Sequence, residues 1–154
     1  MADLVERQLH DAAYSDIVDE VSSLLRDHSE INVNWTDTNQ RTALHAASLR
    51  GHVEVVKLLL AHPDINVNLK DNYGRPAFFF TCENGHVAVV QLLLKDPRVD
   101  VTLDDDVGCT PLWFASRCGK LEVVEWLIAS GRDLGDIKNK KGKRLGWWQR
   151  LHSP

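Results

Sequence analysis

Thr42 and His45 are the residues of this 154-residue sequence whose types and spacing come closest to a catalytic pair. A hydroxyl close to an imidazole could act as a nucleophile with its general base. The alternative is a structural role for both side chains, which we favour. No nucleophile elbow, glycine-rich phosphate loop or pair of carboxylates accompanies them. The sequence therefore predicts that the protein is not an enzyme, and it predicts no cofactor.

Metal and thiol chemistry find little support in the sequence. None of the seven histidines lies at an i, i+4 spacing with a carboxylate partner that would suggest zinc. The three cysteines, Cys82, Cys109 and Cys118, have neither zinc-ligand spacing nor an even number. Cys109 or Cys118 could be an exposed redox-sensitive thiol beside Arg117 and Lys120, although packing of a small residue is favoured. We expect reduced thiols and no metal site.

Length and composition place the chain among globular proteins of one domain. Hydrophobic residues make up 44% and charged residues 26% of the chain. The net charge of −4 argues against a nucleic-acid partner, because such proteins usually carry a basic patch. No apolar run approaches the roughly 18 residues that cross a bilayer, and residues 1–6 are too acidic for a signal peptide. We expect no membrane partner and an intracellular location, in the cytoplasm or the nucleus.

The elements that must position these side chains repeat along the chain. Glycines recur at Gly51, Gly85 and Gly119, and both intervals (85 − 51 and 119 − 85) are 34 residues. An apolar helical segment follows each glycine. A helix start lies nine residues before each glycine, and these starts are Thr42, Pro76 and Thr110. Two short helices cannot bury an apolar face alone, so the period indicates a solenoid of stacked units.

Two segments carry a recognisable motif. Residues 42–47 read Thr-Ala-Leu-His-Ala-Ala and residues 110–115 read Thr-Pro-Leu-Trp-Phe-Ala, and Gly-His pairs stand at 51–52 and 85–86. With these residues the chain resembles the ankyrin-repeat family, whose repeat is about 33 residues long. The resemblance covers residues 37–138 fully and 9–36 more loosely. It implies an all-α solenoid of helix-turn-helix units with β-hairpin-like finger loops.

The repeats divide residues 1–154, taken as a single domain, into five parts. Residues 1–36 form an N-terminal capping unit, and three full repeats follow at 37–70, 71–104 and 105–138. Residues 139–154 form a truncated repeat or a lid, in which Trp147, Trp148 and Leu151 fold back over the third repeat. The alternative is an apolar face through Trp147 and Trp148 that forms a dimer, although a monomer is expected.

Three departures from the pattern predict local differences. Residues 15–17 replace the Gly-His pair in the first unit, so we expect no sharp helix break there. Gln40 stands where the other finger turns have glycine, which predicts a strained or differently shaped turn. In the family, the motif threonine and histidine form a bracing hydrogen-bond network. Phe79 and Trp113 replace that histidine, so the resemblance implies loss of the network, with larger apolar packing instead.

The resemblance also implies a binding face. In ankyrin repeats, protein partners are usually contacted on a concave face formed by the finger tips and the exposed sides of the inner helices. The matching candidates here are Asn39, Arg41, Arg50, Asn72, Tyr73, Arg75, Glu83, Asp106, Val107 and Arg117. Cys109 and Cys118 map to the same face. Tyr and Arg are typical hot-spot residues, which supports this assignment.

The resemblance implies a non-catalytic module that binds a protein partner through this concave face. Two alternatives stay open. The chain could be an inhibitor or regulatory subunit that occludes an enzyme, or a fragment or engineered derivative of a longer ankyrin array. An enzyme built on the scaffold would need a convergent polar pocket, which the sequence does not show.

Overall fold

The computed structural model describes residues 2–135, and this part of the chain contains eight α-helices. They are α1 (Ala2–Tyr14), α2 (Val18–Asp27), α3 (Ala43–Arg50), α4 (Val53–Leu60), α5 (Ala77–Asn84), α6 (Val87–Lys95), α7 (Pro111–Arg117) and α8 (Leu121–Ala129). Within this range the fingers contain no strand, only one isolated antiparallel bridge between Lys70 and Pro76.

The helices form two rows. The inner row is α1, α3, α5 and α7, in which each helix packs on the next. The outer row is α2, α4, α6 and α8, and each outer helix also packs on the inner helix that precedes it in the chain. This arrangement confirms the predicted all-α solenoid of stacked helix-turn-helix units.

Each full repeat starts its inner helix at the predicted residue. Thr42 caps α3 by accepting a hydrogen bond from the His45 N–H, while the His45 ring accepts from the Thr42 N–H, which completes a capping box. Thr110 caps α7 by accepting from the Trp113 N–H. Pro76 begins α5 without a side-chain cap, because proline has no polar side chain.

The prediction that the first unit lacks a sharp helix break was wrong. Asp16 adopts the left-handed conformation, with φ of 59°, between α1 and α2. The Ile17 N–H then donates to the Ala12 carbonyl at 3.0 Å, as the His52 N–H donates to the Ala47 carbonyl at 3.0 Å after Gly51. Aspartate tolerates this backbone region better than most residues, so it forms the same turn as glycine.

Apolar side chains between the two rows form the core. The outer helices of the three full repeats bury the same three positions, namely Val55, Val56, Leu59, Val89, Val90, Leu93, Val123, Val124 and Leu127. In the second repeat, Phe78 belongs to this core, and Phe79 and Phe80 are also no more than 2% exposed. Burial of large side chains of this type is the main stabilising contribution to folding.

Two asparagines join the loops that follow the outer helices. The Asn34 side chain donates to the Asp64 carbonyl at 2.8 Å and accepts from the Asn66 N–H at 2.8 Å. One repeat later, the Asn68 side chain donates to the Arg98 carbonyl and accepts from the Asp100 N–H, both at 2.9 Å. These bonds fix the spacing of successive repeats.

The predicted lid or dimer face of Trp147, Trp148 and Leu151 lies outside the described residues. The structure therefore does not test the division at 139–154. Among the helices of residues 2–135, none is long and apolar enough to cross a lipid bilayer.

Candidate partner-binding face

An aspartate organises each finger turn. The Asp71 Oδ1 atom accepts hydrogen bonds from the Tyr73 and Arg75 N–H groups, both at 2.9 Å. Asp37 accepts in the same way from residues 39 and 41, and Asp105 accepts from residues 107 and 109. Aspartate suits this position because its short side chain reaches the backbone two residues further on. The three fingers therefore share one geometry.

Gln40 is strained, but its turn is not differently shaped. Its φ is 58°, in the left-handed region that glycine occupies in the other fingers. The Gln40 N–H donates to the Asp37 carbonyl at 3.0 Å, and the Gly74 N–H donates to the Asp71 carbonyl at 2.9 Å. The aspartate bonds hold the first finger in the common shape despite the unfavourable residue.

Backbone hydrogen bonds also join neighbouring finger tips. The Asn72 N–H donates to the Asn39 carbonyl at 3.0 Å, and the Asp106 N–H donates to the Tyr73 carbonyl at 3.0 Å. The Asn72 side chain adds a bond to the Thr38 carbonyl at 3.3 Å. Three tips therefore form one continuous edge, which fixes the backbone from which the tip side chains project.

Tyr73 and Val107 are the exposed apolar side chains of this edge. Tyr73 is 64% and Val107 is 54% exposed, although both side chains are large and apolar. They stand on adjacent fingers. The Asp106 N–H donates to the Tyr73 carbonyl, and Val107 follows Asp106 in the chain. A rigid, exposed tyrosine is a side chain that protein interfaces favour.

Behind the tips, two arginines converge on the buried carboxylate of Asp71. Arg75 donates to Asp71 Oδ2 through Nε at 3.2 Å and Nη2 at 2.9 Å. Arg41, from the preceding finger, approaches the same oxygen with its Nε at 3.5 Å. Burial alone raises the pKa of the Asp71 carboxyl, but hydrogen bonds from Arg75 and Tyr73 outweigh it and hold that pKa below its usual range.

Four arginines of the face lie over aromatic rings. The guanidinium of Arg75 is 4.7 Å from the centre of the Phe80 ring and 4.8 Å from that of Tyr73. The other three arginines lie over one ring each, namely Arg41 over Phe80 at 5.1 Å, Arg50 over Tyr14 at 5.0 Å and Arg117 over Trp113 at 5.2 Å. Among residues 2–135, these four arginines make every such contact.

Aromatic rings replace the bracing network in the second and third repeats. The Phe79 ring packs 4.4 Å from that of Phe114, which lies 5.1 Å from the ring of Trp113. Trp113 is 5% exposed, and its indole N–H has no hydrogen-bond partner among the described residues. Larger apolar packing therefore takes the place of hydrogen bonds, as the sequence predicts.

Thr42 and His45 act structurally in this geometry. The His45 Nδ1 atom faces the Thr42 N–H at 3.1 Å and the Thr42 hydroxyl at 2.9 Å. Its Nε2 lies 3.0 Å from the Arg75 carbonyl, to which an Nε2–H group donates. Burial lowers the pKa of His45, so the ring stays neutral. Both nitrogens are occupied by bonds that tie the first repeat to the second finger.

The structure sorts the remaining sequence candidates by exposure. Asn39, Arg50, Asn72, Asp106 and Arg117 are exposed, whereas Arg41, Arg75 and Glu83 are half-buried. Cys118 is exposed, but Cys109 is buried, so its placement on the face was wrong. It packs against Trp113 instead. Burial also raises the pKa of the Cys82 thiol to about 12.

Two sets of contacts on this face were not predicted from the sequence. Asp71 holds both Arg41 and Arg75, and Tyr14 carries the guanidinium of Arg50. The recurrence of aspartate at 37, 71 and 105 predicts that Asp71 supports its turn by side-chain to backbone bonds, but it does not reveal the pairing with two arginines. Nothing local in the sequence marks Tyr14, because its partner lies in the next inner helix.

A groove of about 480 Å³ lies beside the first finger, where His10, Trp35 and Asp37 are among its lining residues. The His10 Nε2 atom is 3.8 Å from Asp37 Oδ2, and the His10 ring meets that of Trp35 edge-on at 6.0 Å. Within residues 2–135, no three His, Cys, Asp or Glu side chains come together in a way that could hold a metal ion.

A model of the family described as ankyrin repeats (3 copies) matches residues 6–71 and 65–138. These matches cover most of the chain, which therefore belongs to the ankyrin-repeat family. Members of this family are generally protein–protein interaction modules and are typically non-catalytic. A comparison with curated proteins gives no match.

Proposed function

We propose that this chain binds one protein partner through the face formed by the finger tips and inner helices. The residues assigned to contact are Asn39, Arg41, Arg50, Asn72, Tyr73, Arg75, Glu83, Asp106, Val107 and Arg117. The observation that supports this most is the exposed pair of Tyr73 and Val107 on finger tips joined by backbone bonds. A backbone that is already ordered loses little conformational entropy when a partner binds it.

The chain itself carries out no chemistry in this proposal. It supplies a rigid surface, and occlusion of an enzyme is one consequence that such binding can have. The proposed location is intracellular. The free thiols of Cys82 and Cys118 support that location, because secreted proteins usually pair their cysteines in disulfides.

Capture from a cell lysate tests this function. The chain is compared with a variant carrying Tyr73→Ala, Val107→Ser and Arg117→Ala, which leaves the Asp71 pairs intact. The matched control is Trp126→Ala, which removes an aromatic side chain that is 42% exposed on the outer helix α8. A partner should be retained by the wild type and the control and lost from the face variant. Equal retention by all three would refute the assignment, with circular dichroism confirming that each is folded.

A further inference from the structure

The inner helices of the three full repeats present a row of charges at their C-terminal ends. Arg50 is the last residue of α3, Glu83 is the second-last residue of α5, and Arg117 is the last residue of α7. Arg50 and Arg117 are exposed and Glu83 is half-buried. Across the stack, the signs of these charges therefore run positive, negative, positive.

Within the described part of the chain, these three charges have no ion-pair partner. Within residues 2–135, no hydrogen bond or ion pair forms at the side chains of Arg50, Glu83 or Arg117. Arg75 differs, because Asp71 occupies two of its donors. Neighbouring inner helices therefore do not neutralise one another along this row.

Arg50 and Arg117, at the two ends of this row, each stack on an aromatic ring. The guanidinium of Arg50 lies 5.0 Å from the ring centre of Tyr14, and that of Arg117 lies 5.2 Å from that of Trp113. Stacking restrains the planar group while its N–H edges stay open. An arginine fixed in this way binds a carboxylate at a lower entropic cost than a mobile one.

We propose that the partner presents an extended segment with two carboxylates that flank one cationic side chain. Each carboxylate meets Arg50 or Arg117, and the cation meets Glu83. This inference rests on the proposed function and adds the chemistry of the partner to it. Packed helices lie about 8–10 Å apart, so the C-terminal ends of α3 and α7, from which the arginines project, are about 16–20 Å apart. An extended chain rises about 3.3 Å per residue, which places the two carboxylates about five or six residues apart.

A protein segment fits this pattern better than a nucleic acid does. A phosphate backbone carries only negative charge, so it would be repelled by Glu83 between the two arginines. The net charge of −4 opposes a polyanion further. Alternating charges on a polypeptide can pair with all three side chains. A polypeptide with the opposite order of charges would place like charges next to one another and be repelled.

Selection from a random displayed peptide library tests the pattern directly, because the library contains every order of charges. The bait is the full chain, and a second bait carries the charge swap Arg50→Glu, Glu83→Arg and Arg117→Glu. The matched control is Lys95→Glu on the outer helix α6, because it and the swap both change the net charge by −2. A single Glu83→Arg variant serves as well if the triple variant does not fold.

Peptides enriched on the wild type and on the control should carry acidic, basic and acidic residues in that order at the stated spacing. On the charge-swapped bait the order should invert, and peptides from the wild-type selection should bind it at least about tenfold more weakly. A higher salt concentration should reduce this difference in affinity between the two baits. Peptides selected on the Glu83→Arg bait should carry an acidic residue at the central position in place of the basic one.

Enrichment without this charge order, or of the same peptides on both baits, would overturn the inference while lysate capture at Tyr73 could still succeed. No enrichment at all would also overturn the inference, and together with no face-dependent capture it would overturn the proposed function as well. A fluorescent oligouridylate is tested in parallel. Binding of that RNA to the wild type and not to the swap would assign the row to nucleic acid and refute the peptide proposal.

Discussion

The imidazole of His45 in the first repeat donates a hydrogen bond to the backbone carbonyl of Arg75 in the second finger, at 3.0 Å. Its other nitrogen accepts from the start of its own helix at Thr42. One side chain therefore couples a helix cap to the loop that carries Tyr73. The rigidity of the proposed binding face depends on such links between repeats.

Replacing His45 should weaken the stack and change its pH dependence. The His45→Phe variant leaves the Thr42 N–H and the Arg75 carbonyl without this partner, so we expect the free energy of unfolding to fall by about 1–3 kcal/mol. Phenylalanine is the natural choice because Phe79 stands one repeat later. Urea denaturation at neutral pH measures the change, and no loss of stability would show that the bonds contribute nothing.

The pH dependence follows from the sign of the shift. The folded pKa of His45 is lowered, chiefly by burial, so the unfolded chain binds the proton first as the pH falls. The contribution of His45 to stability is therefore complete above its ordinary pKa of 6.5 and declines below that pH. Melting temperatures between about pH 7.5 and pH 5.5 should fall for the wild type and fall less for His45→Phe. Parallel curves would contradict this account.

Gly51 and Gly119 allow backbone strain to be separated from contact between repeats. Both adopt positive φ, of 76° and 69°. A Cβ atom at Gly51 would lie 2.5 Å from the His86 ring, whereas nothing lies within 4 Å at Gly119. We expect Gly119→Ala to cost about 1–2 kcal/mol from strain alone, and Gly51→Ala to cost about 1–3 kcal/mol more. Equal costs in chemical denaturation would show that His86 moves aside freely.

The Asp71 carboxylate should matter more than its counterpart in the third finger. Asn can keep the backbone hydrogen bonds at both positions, but Asp71→Asn also loses the charge that holds Arg41 and Arg75. We expect a loss of about 1–3 kcal/mol for Asp71→Asn and a smaller one for the control Asp105→Asn. Denaturant titration of both variants measures this, and the opposite ranking would contradict the role of the two arginines.

The lowered pKa of Asp71 also predicts how the stability of the protein changes at low pH. Its contribution is present above the unfolded value of 3.8 and is lost as the pH falls through the lower folded value. Below about pH 4, the wild type should therefore lose its advantage over Asp71→Asn. Acid titration followed by circular dichroism would reveal this convergence, and a constant gap would argue against it.

The bridges between loops can be tested with two neighbouring asparagines. Asn68 joins two repeats by two hydrogen bonds, whereas the Asn66 side chain, among the described residues, accepts only from the Asn68 N–H, at 3.1 Å. We expect Asn68→Ala to cost about 1–3 kcal/mol and the control Asn66→Ala to stay within about 0.5 kcal/mol. Thermal unfolding of the two variants decides, and similar melting points would exclude a bridging role.

Much of the fold could be predicted because its signals are local and repeated. The 34-residue spacing of Gly51, Gly85 and Gly119 predicts the helix pairs, and Thr42 and Thr110 cap their helices as expected. Asp16 was missed because aspartate signals a left-handed turn more weakly than glycine does. Cys109 was misplaced because a finger position does not show whether its side chain turns outward or packs against Trp113.

The candidate face was harder to predict than the fold. Exposure of Tyr73 follows from its place at a finger tip, but the convergence of Arg41 on Asp71 joins residues of different fingers. No local spacing encodes that contact, because it depends on how closely the repeats stack. Similarly, the stacking of Arg50 on Tyr14 became visible only in three dimensions.

Photo-crosslinking from the finger tip tests the central claim most directly. A benzoylphenylalanine is placed at Tyr73, and in a separate protein at Trp126, which is exposed on the outer helix α8. After irradiation in cells or lysate, the account predicts a discrete crosslinked protein from position 73 and none from position 126. A crosslink from 126 alone, or the same products from both positions, would contradict binding through the concave face.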